Sequence, residues 1–180
     1  LAESVARLSR QGNLRSSGWS EIEDLPEPVR SYLSRVLPDS APAWNSARLA
    51  QEGSFLVRPP KGWRPFSARQ VIHRCPPGFL WDARIRVIPG LSFRVRDGFV
   101  RGKGLMHITL AGLIRLGWME GTPEISVGAL QRYLAEGVWF PMALLPSSGV
   151  IWKEIDPGRV AATLTVGETT AALEFRFGFD

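Results

Sequence analysis

The chain has a single cysteine, two histidines and no apolar run long enough to cross a bilayer. Lone Cys75 excludes an intramolecular disulfide and a cysteine metal cluster, and it leaves the redox compartment open. His73 and His107 stand apart, with no His-x-x-x-His or His-x-His spacing, so no metal is expected. The sequence also lacks a Gly-x-Ser-x-Gly nucleophile elbow and a Gly-x-x-x-x-Gly-Lys phosphate loop. Gly102-Lys103-Gly104 shares only its glycines with such a loop, and the stretch from Gly98 to Gly104 opens no helix for a dinucleotide. No cofactor is expected. A basic segment leading into an apolar stretch is absent from the start, and the first residue is Leu1 rather than Met. The expectation is a piece whose native form continues beyond both ends, of open localisation: a soluble fragment, cytoplasmic or tethered to a membrane by a segment absent here.

What is present suits one globular domain: 180 residues, 44% hydrophobic and 22% charged. Charge is unevenly placed. Residues 44–118 carry 13 Lys or Arg against Glu52, Asp82 and Asp97, whereas residues 119–180 carry 4 basic and 8 acidic side chains. Such asymmetry admits an anionic partner, and it also arises when strands place arginine on a wet face.

The pattern predicts an α+β fold, a curved antiparallel sheet of half-barrel-like meander form packed against one or two helices. Residues 1–40 read as a helical segment: a weak stripe of Val5, Leu8 and Leu14, a break before Trp19, then a second helix from Asp24 to Pro38 with Val29, Tyr32, Leu33, Val36 and Leu37 on one face. Residues 46–111 read as the meander. Ala47, Leu49, Gln51, Gly53, Phe55 and Val57 alternate along a first strand, a loop through Pro59-Pro60-Lys61-Gly62-Trp63-Arg64-Pro65 follows, and residues 66–75 form a second strand of unsettled facing. In the third strand Phe79, Trp81, Ala83, Ile85 and Val87 face the core, and a short turn at Ile88-Pro89-Gly90 sets Ile85 opposite Phe93, Ala83 opposite Val95 and Asp82 opposite Arg96. Asp97-Gly98 reads as a two-residue hairpin turn placing Val95 opposite Val100 and Phe93 opposite Gly102, which puts Gly102, Gly104, Met106, Ile108 and Leu110 on the packed face. Glycines there let a sheet bend or another element come close. A helix follows at 126–139 with Ser126 as N-cap and Leu130, Tyr133, Leu134 and Val138 as its stripe. Strands at 150–178, joined by Asp156-Pro157-Gly158 and Gly167-Glu168, close the chain with Val150, Trp152, Val160, Ala162, Leu164, Ala171, Leu173, Phe175 and Phe177 on one side. The strand-like end at Phe179 and Asp180 reads as a truncation.

The stretch Arg132-Tyr133-Leu134-Ala135-Glu136-Gly137-Val138-Trp139-Phe140-Pro141-Met142-Ala143-Leu144-Leu145-Pro146 resembles the signature of a bacterial domain-of-unknown-function family. Leu25-Pro26-Glu27-Pro28-Val29-Arg30-Ser31-Tyr32-Leu33, Gly78-Phe79-Leu80-Trp81-Asp82-Ala83-Arg84 and Val95-Arg96-Asp97-Gly98 match its pattern too. The resemblance implies no chemistry. It does imply longer proteins, some with membrane-spanning segments upstream. A sheet wrapped on a helix is also similar, by fold analogy alone, to lipoprotein carriers.

Glu136 is the first candidate catalytic group: it ends an apolar helix stripe beside Trp139 and Phe140, a setting that raises a carboxylate pKa. Arg132 lies one helical turn before it, so the two either form a plain surface ion pair or orient a substrate. The leading expectation is binding of an apolar or amphipathic ligand, such as a lipid, in a concave sheet cavity lined by Trp81, Phe93, Met106, Tyr133, Trp139, Phe140 and Trp152. A hydrolase-like enzyme using Glu136 as acid or base with Arg132 is the first alternative. The second is an interaction domain for an anionic membrane surface, using Arg84, Arg86, Arg94 and Arg96 on the wet face with Arg101 and Lys103 nearby. Nucleic acid is disfavoured, because the aromatic residues lie mostly on the other face.

Overall fold

A computed structural model describes residues 20–37, 44–57 and 62–178. The expected first helix around Val5, Leu8 and Leu14, the break at Trp19, the stop at Pro38, the loop at Pro59-Pro60-Lys61 and the end at Phe179 and Asp180 lie outside these residues. Among the described residues the helices are α1 (Ser20–Glu23), α2 (Glu27–Val36) and α3 (Pro123–Glu136). The strands are β1 (Ser46–Leu56), β2 (Trp63–Arg74), β3 (Pro77–Ile88), β4 (Leu91–Val100), β5 (Lys103–Leu110), β6 (Ile114–Glu120), β7 (Ile151–Asp156), β8 (Arg159–Val166) and β9 (Thr169–Arg176). The fold is α+β. It has a six-stranded antiparallel sheet in simple sequential order, β1 to β6, and a separate three-stranded sheet, β7 to β9, with α3 as the main helix packed against them. The expected single curved half-barrel is corrected: the strands divide into two sheets, neither of them curled or closed among the described residues.

Register organises the packed face of the larger sheet into cross-strand rows. One row reads Ala47, Ile72, Phe79, Phe99, Gly104; the next reads Leu49, Gln70, Trp81, Asp97, Met106, Met119. Beyond them lie Gln51, Ala68, Ala83, Val95, Ile108, Gly117, and then Gly53, Phe66, Ile85, Phe93, Leu110, Ile114. The β3–β4 register is the one expected, with Ile85 opposite Phe93 and Asp82 opposite Arg96. Strand β2 begins at Trp63, so Trp63, Arg64 and Pro65, expected in the loop, pair with Leu56, Phe55 and Ser54 instead, and it turns Phe66, Ala68, Gln70, Ile72 and Arg74 to the same side.

Asp97-Gly98 is not a turn. Both residues lie within β4, and the reversal comes at Arg101 and Gly102, whose φ angles of 53° and 79° are those of a tight hairpin, so Val95 faces Ile108 rather than Val100. Gly98 is required by close packing: a Cβ there would meet the Phe79 carbonyl oxygen at 2.7 Å. The displacement is an even number of residues, so Gly104, Met106, Ile108 and Leu110 keep the face expected of them. Gly102 sits in the turn and bends no strand.

Helix α3 starts earlier than expected. Thr122 is its N-cap, accepting from the Ile125 N–H at 3.4 Å, with Pro123 in the first turn. Ser126 lies inside the helix and is buried, and its Oγ accepts the Gly104 N–H at 3.0 Å. Its apolar stripe, Leu130, Tyr133 and Leu134, is buried, each side chain stabilising the fold by about 1.5–3 kcal/mol, while Val138 at the end of the expected stripe is exposed. The core it joins is continuous with Phe79 and Phe99 of the large sheet and with Val160, Ala162, Leu164 and Ala171 of the small one. Helix α2 buries Val29 and Leu33 in the same core, and the Tyr32 ring meets Phe177 at 6.3 Å, while Val36 points out.

Gly104→Ala should cost more than about 2 kcal/mol, because its Cβ would sit 2.3 Å from the Ile125 carbonyl oxygen, a backbone atom that cannot step aside. Gly128→Ala, in the same helix with open space around it, should stabilise by roughly 0.5–1 kcal/mol. Urea midpoints of the two variants moving in opposite directions would verify the close helix-to-sheet approach.

Candidate functional site

Where α3 crosses the sheet, polar groups meet on an otherwise apolar face. Arg132 Nη1 donates to Asp97 Oδ2 on β4, and Arg132 Nε donates to Glu136 Oε1 at 2.8 Å, one turn on in the helix. The other Glu136 oxygen accepts from Gln70 Nε2 on β2. Gln70 Oε1 in turn accepts from Gln51 Nε2 at 3.2 Å, and Gln51 Oε1 accepts from the Trp81 indole N–H at 2.7 Å. The guanidinium of Arg132 lies 5.1 Å from the Phe79 ring centroid and 5.0 Å from that of Trp81, so two aromatic faces flank the cation.

Arginine suits this position because its planar fork serves two carboxylates at once while its plane rests on rings. Its side chain is 28% exposed, against 12% for Asp97 and 14% for Glu136. With both acids ionised the trio carries one negative charge in excess, which favours a cationic or hydrogen-bond-donating group at its open side. Glu136 is neither a freely exposed helix-surface partner nor an uncommitted carboxylate, since each of its oxygens is already bonded.

The other expected site residues separate. Tyr133 is core, its hydroxyl donating to the His73 carbonyl at 2.9 Å, and burial pushes its phenol pKa up. Phe140 is buried, and Trp139 beside it is exposed. Trp152 belongs to the small sheet, where its indole N–H donates to the Leu144 carbonyl at 2.9 Å and its ring meets Phe175 at 5.2 Å. Trp81, Phe93 and Met106 do share the large sheet's packed face. Phe66 and Trp81 lean together, centroids 6.2 Å apart, over buried Ala68 and Ala83, and the half-buried Phe93, Val95, Ile108 and Leu110 extend beyond the part that α3 crosses.

The sequence reading passed over Gln70 and Gln51 as site residues and assigned Asp97 to a turn. One signal was available for all three: a polar residue at a core-facing parity. Gln51 stood in that alternation, and Gln70 was hidden because the facing of its strand was unsettled.

The opposite face of the large sheet is basic. Asp82 accepts from Arg94 Nε at 2.9 Å and from Arg94 Nη2 at 2.6 Å, and from Arg96 Nε at 3.3 Å. At its far side His107 is buried and stacked on Trp118 with centroids 3.5 Å apart. His107 Nε2 lies 2.6 Å from Glu120 Oε1 without the alignment of a hydrogen bond, and Nδ1 has no partner. Arg94, Arg96, His107, Thr109, Arg115 and Trp118 border a cleft of about 370 Å³. A second, of about 660 Å³, lies between Glu52, Phe66, Ser67, Arg84, Arg86 and Ser92. Among the described residues no group of three His, Cys, Asp or Glu side chains is placed to hold a metal ion, and no helix is long and apolar enough to cross a membrane.

A family model described as a family of unknown function, DUF6920, matches residues 23–180. No curated protein and no solved structure matches the chain.

Arg132→Met should cost about 3 kcal/mol by leaving two partly buried carboxylates facing each other, and Asp97→Asn on that background should return part of it. A double-mutant cycle by urea denaturation should give a coupling above about 1 kcal/mol.

Burial acts to raise the Asp82 carboxyl, and the hydrogen bonds and charge of Arg94, with Arg96 behind them, outweigh it and hold the pKa below its ordinary value. Stability from that depressed group is present above the unfolded value, about 3.9, and is lost as pH falls through the folded one. Asp82→Asn should therefore cost roughly 1 kcal/mol at neutral pH, with the deficit closing below about pH 4 in paired denaturation curves.

Proposed function

We propose, for a chain that belongs to the DUF6920 family of unknown function and takes no activity from it, that the large sheet binds an amphipathic small molecule beside helix α3. The apolar part lies on the rows beyond the helix, against Phe66, Phe93, Val95 and Ile108, and the polar end meets the Arg132, Asp97 and Glu136 group. One observation carries this reading: a partly exposed cluster of one cation and two carboxylates stands at the border of half-buried apolar rows that α3 does not cross. Such an arrangement has the composition of a ligand site, mostly apolar with a few convergent polar groups. The excess carboxylate favours a head group that donates hydrogen bonds or carries positive charge.

A proton-transfer role for Glu136 has less support, because Arg132 and Gln70 occupy both of its oxygens. As the ligand is unidentified, the probes are dodecylamine and dodecanoate, chain-matched and used below their micelle thresholds with tryptophan fluorescence as the readout. Dodecylamine should bind saturably and about tenfold or more tightly than dodecanoate. Val95→Arg, at the centre of the apolar rows, should abolish binding while the circular dichroism spectrum is retained. Absence of saturable binding by either probe, together with purified protein that carries no small molecule in native mass spectrometry, would sink the reading.

A further inference from the structure

Antiparallel alternation brings the β1–β2, β3–β4 and β5–β6 connections to one end of the large sheet. Among the described residues that end is apolar at its extremity. Ile88 enters the second connection, Leu113 closes the third and Ile114 opens β6, with Val57 and Trp63 at the strand ends beside the first; all are exposed, Leu113 to 85%. Single exposed apolar side chains need no explanation, but a group of them gathered at one end of a sheet does.

Guanidinium groups stand just behind. Arg86 precedes Ile88 by two residues on β3, Arg115 follows Ile114 on β6, and Arg84 and Arg94 are cross-strand partners one step further in. At about 3.3 Å per strand residue, this places Arg86 and Arg115 within roughly 7 Å of the apolar residues, and Arg84 and Arg94 about 10–13 Å away. Among the described residues Arg84, Arg86 and Arg115 enter no ion pair, and Arg94 shares a single carboxylate, Asp82, with Arg96. The two arginine-lined clefts open on either side of the β3–β4 hairpin, and one of them contains the buried His107 with its unpartnered Nδ1.

We infer that this end of the sheet docks on an anionic bilayer, with Ile88, Leu113 and Ile114 in the outer acyl region and the arginines at the phosphates. Depth order argues for a bilayer: apolar outermost and cationic next matches hydrocarbon beneath charged head groups, and an interfacial element buries its apolar part by about 5–10 Å. Trp63 at the border suits the amphipathic ring's preference for that level. Single-stranded nucleic acid fits less well, because among the apolar side chains named at this end Trp63 alone offers a ring, where a strand of bases needs successive ones. Trp118 already stacks on His107 and has the Arg115 guanidinium 4.5 Å from its centroid, and both would compete with a stacked base. The docked pose sets the uncovered apolar rows next to the bilayer, yet the docking stands apart from the ligand reading and can fail without it.

Vesicle flotation tests it, with extruded phosphatidylcholine alone and with about one-third phosphatidylserine. The protein should float with the anionic vesicles, far less with the neutral ones, and lose binding as salt is raised. Leu113→Ser with Ile114→Ser, both exposed, should weaken binding about tenfold or more without changing the melting curve. Arg84→Ser with Arg86→Ser should weaken it about fivefold per arginine. Equal flotation of the Leu113→Ser/Ile114→Ser variant and the parent, or no flotation of the parent, overturns the inference. So does a parent that is dimeric by light scattering, becomes monomeric in that variant and ignores vesicles, since the tips would then join two copies of the chain. Leu113→Ser alone, outside the apolar rows of the ligand site, should weaken flotation and leave dodecylamine binding unchanged, which separates loss of docking from loss of the ligand site.

Discussion

The tie between Arg132 and two carboxylates governs how the domain is assembled. Helix α3 must bury Leu130, Tyr133 and Leu134, and an apolar stripe alone would allow it to slide or rotate on a flat sheet. Asp97 on β4 and Gln70 on β2 reach the helix through Arg132 and Glu136 and so fix its position across strands. At the other end of the helix, Gly104 admits the Ile125 carbonyl and Ser126 accepts the Gly104 N–H. Two polar attachments at the two ends set direction and height, and the small sheet then packs on the helix side that is left, through Val160, Ala162, Leu164 and Ala171.

That placement leaves the large sheet with two dissimilar faces and one unusual end. The face toward the helix is apolar, with a charged group at the helix border. The opposite face is arginine-rich, yet its charges are partly gathered around Asp82, and Trp118 there stacks on His107 with the Arg115 guanidinium 4.5 Å from its centroid. At the end where the β3–β4 and β5–β6 hairpins turn, exposed apolar residues meet Arg84, Arg86 and Arg115, which enter no ion pair among the described residues. A ligand site on one face and a surface contact at that end are separate physical readings of one sheet, and they share the row of Phe66, Phe93 and Leu110 as neighbours.

Much of the fold was legible because alternation and turn chemistry act locally. The β3–β4 register followed from facing parity, although the structure reaches it by a two-residue turn at Pro89-Gly90 with a bulge between Arg86 and Ile88, and the β7–β9 meander followed from Asp156-Pro157-Gly158 and Gly167-Glu168. Local chemistry misled at Asp97-Gly98, where the glycine serves the close approach of the Phe79 carbonyl and the real reversal uses Arg101 in a left-handed conformation. Ser126 misled in the same way: a good capping residue became a buried acceptor, and Thr122 took the cap. Strand β6 went unread, since its residues 114–120 are mostly exposed on both faces and its pairing with β5 is interrupted by a bulge.

Of the site, the sequence by itself determined the Arg132 and Glu136 pair, because a helix places residues four apart side by side whatever surrounds it. It also determined the α+β class and which residues of most strands share a face, since a strand's period of two is a property of the backbone. Only the tertiary structure decided that Asp97 and Gln70 complete the cluster, that the strands divide into two sheets, that Trp152 stands on the small sheet while Tyr133 is buried in the core, and that the exposed apolar residues of the β3–β4 and β5–β6 hairpins share one end. Each of these depends on contacts between residues distant in the chain, whose partners are set by packing and not by any local preference.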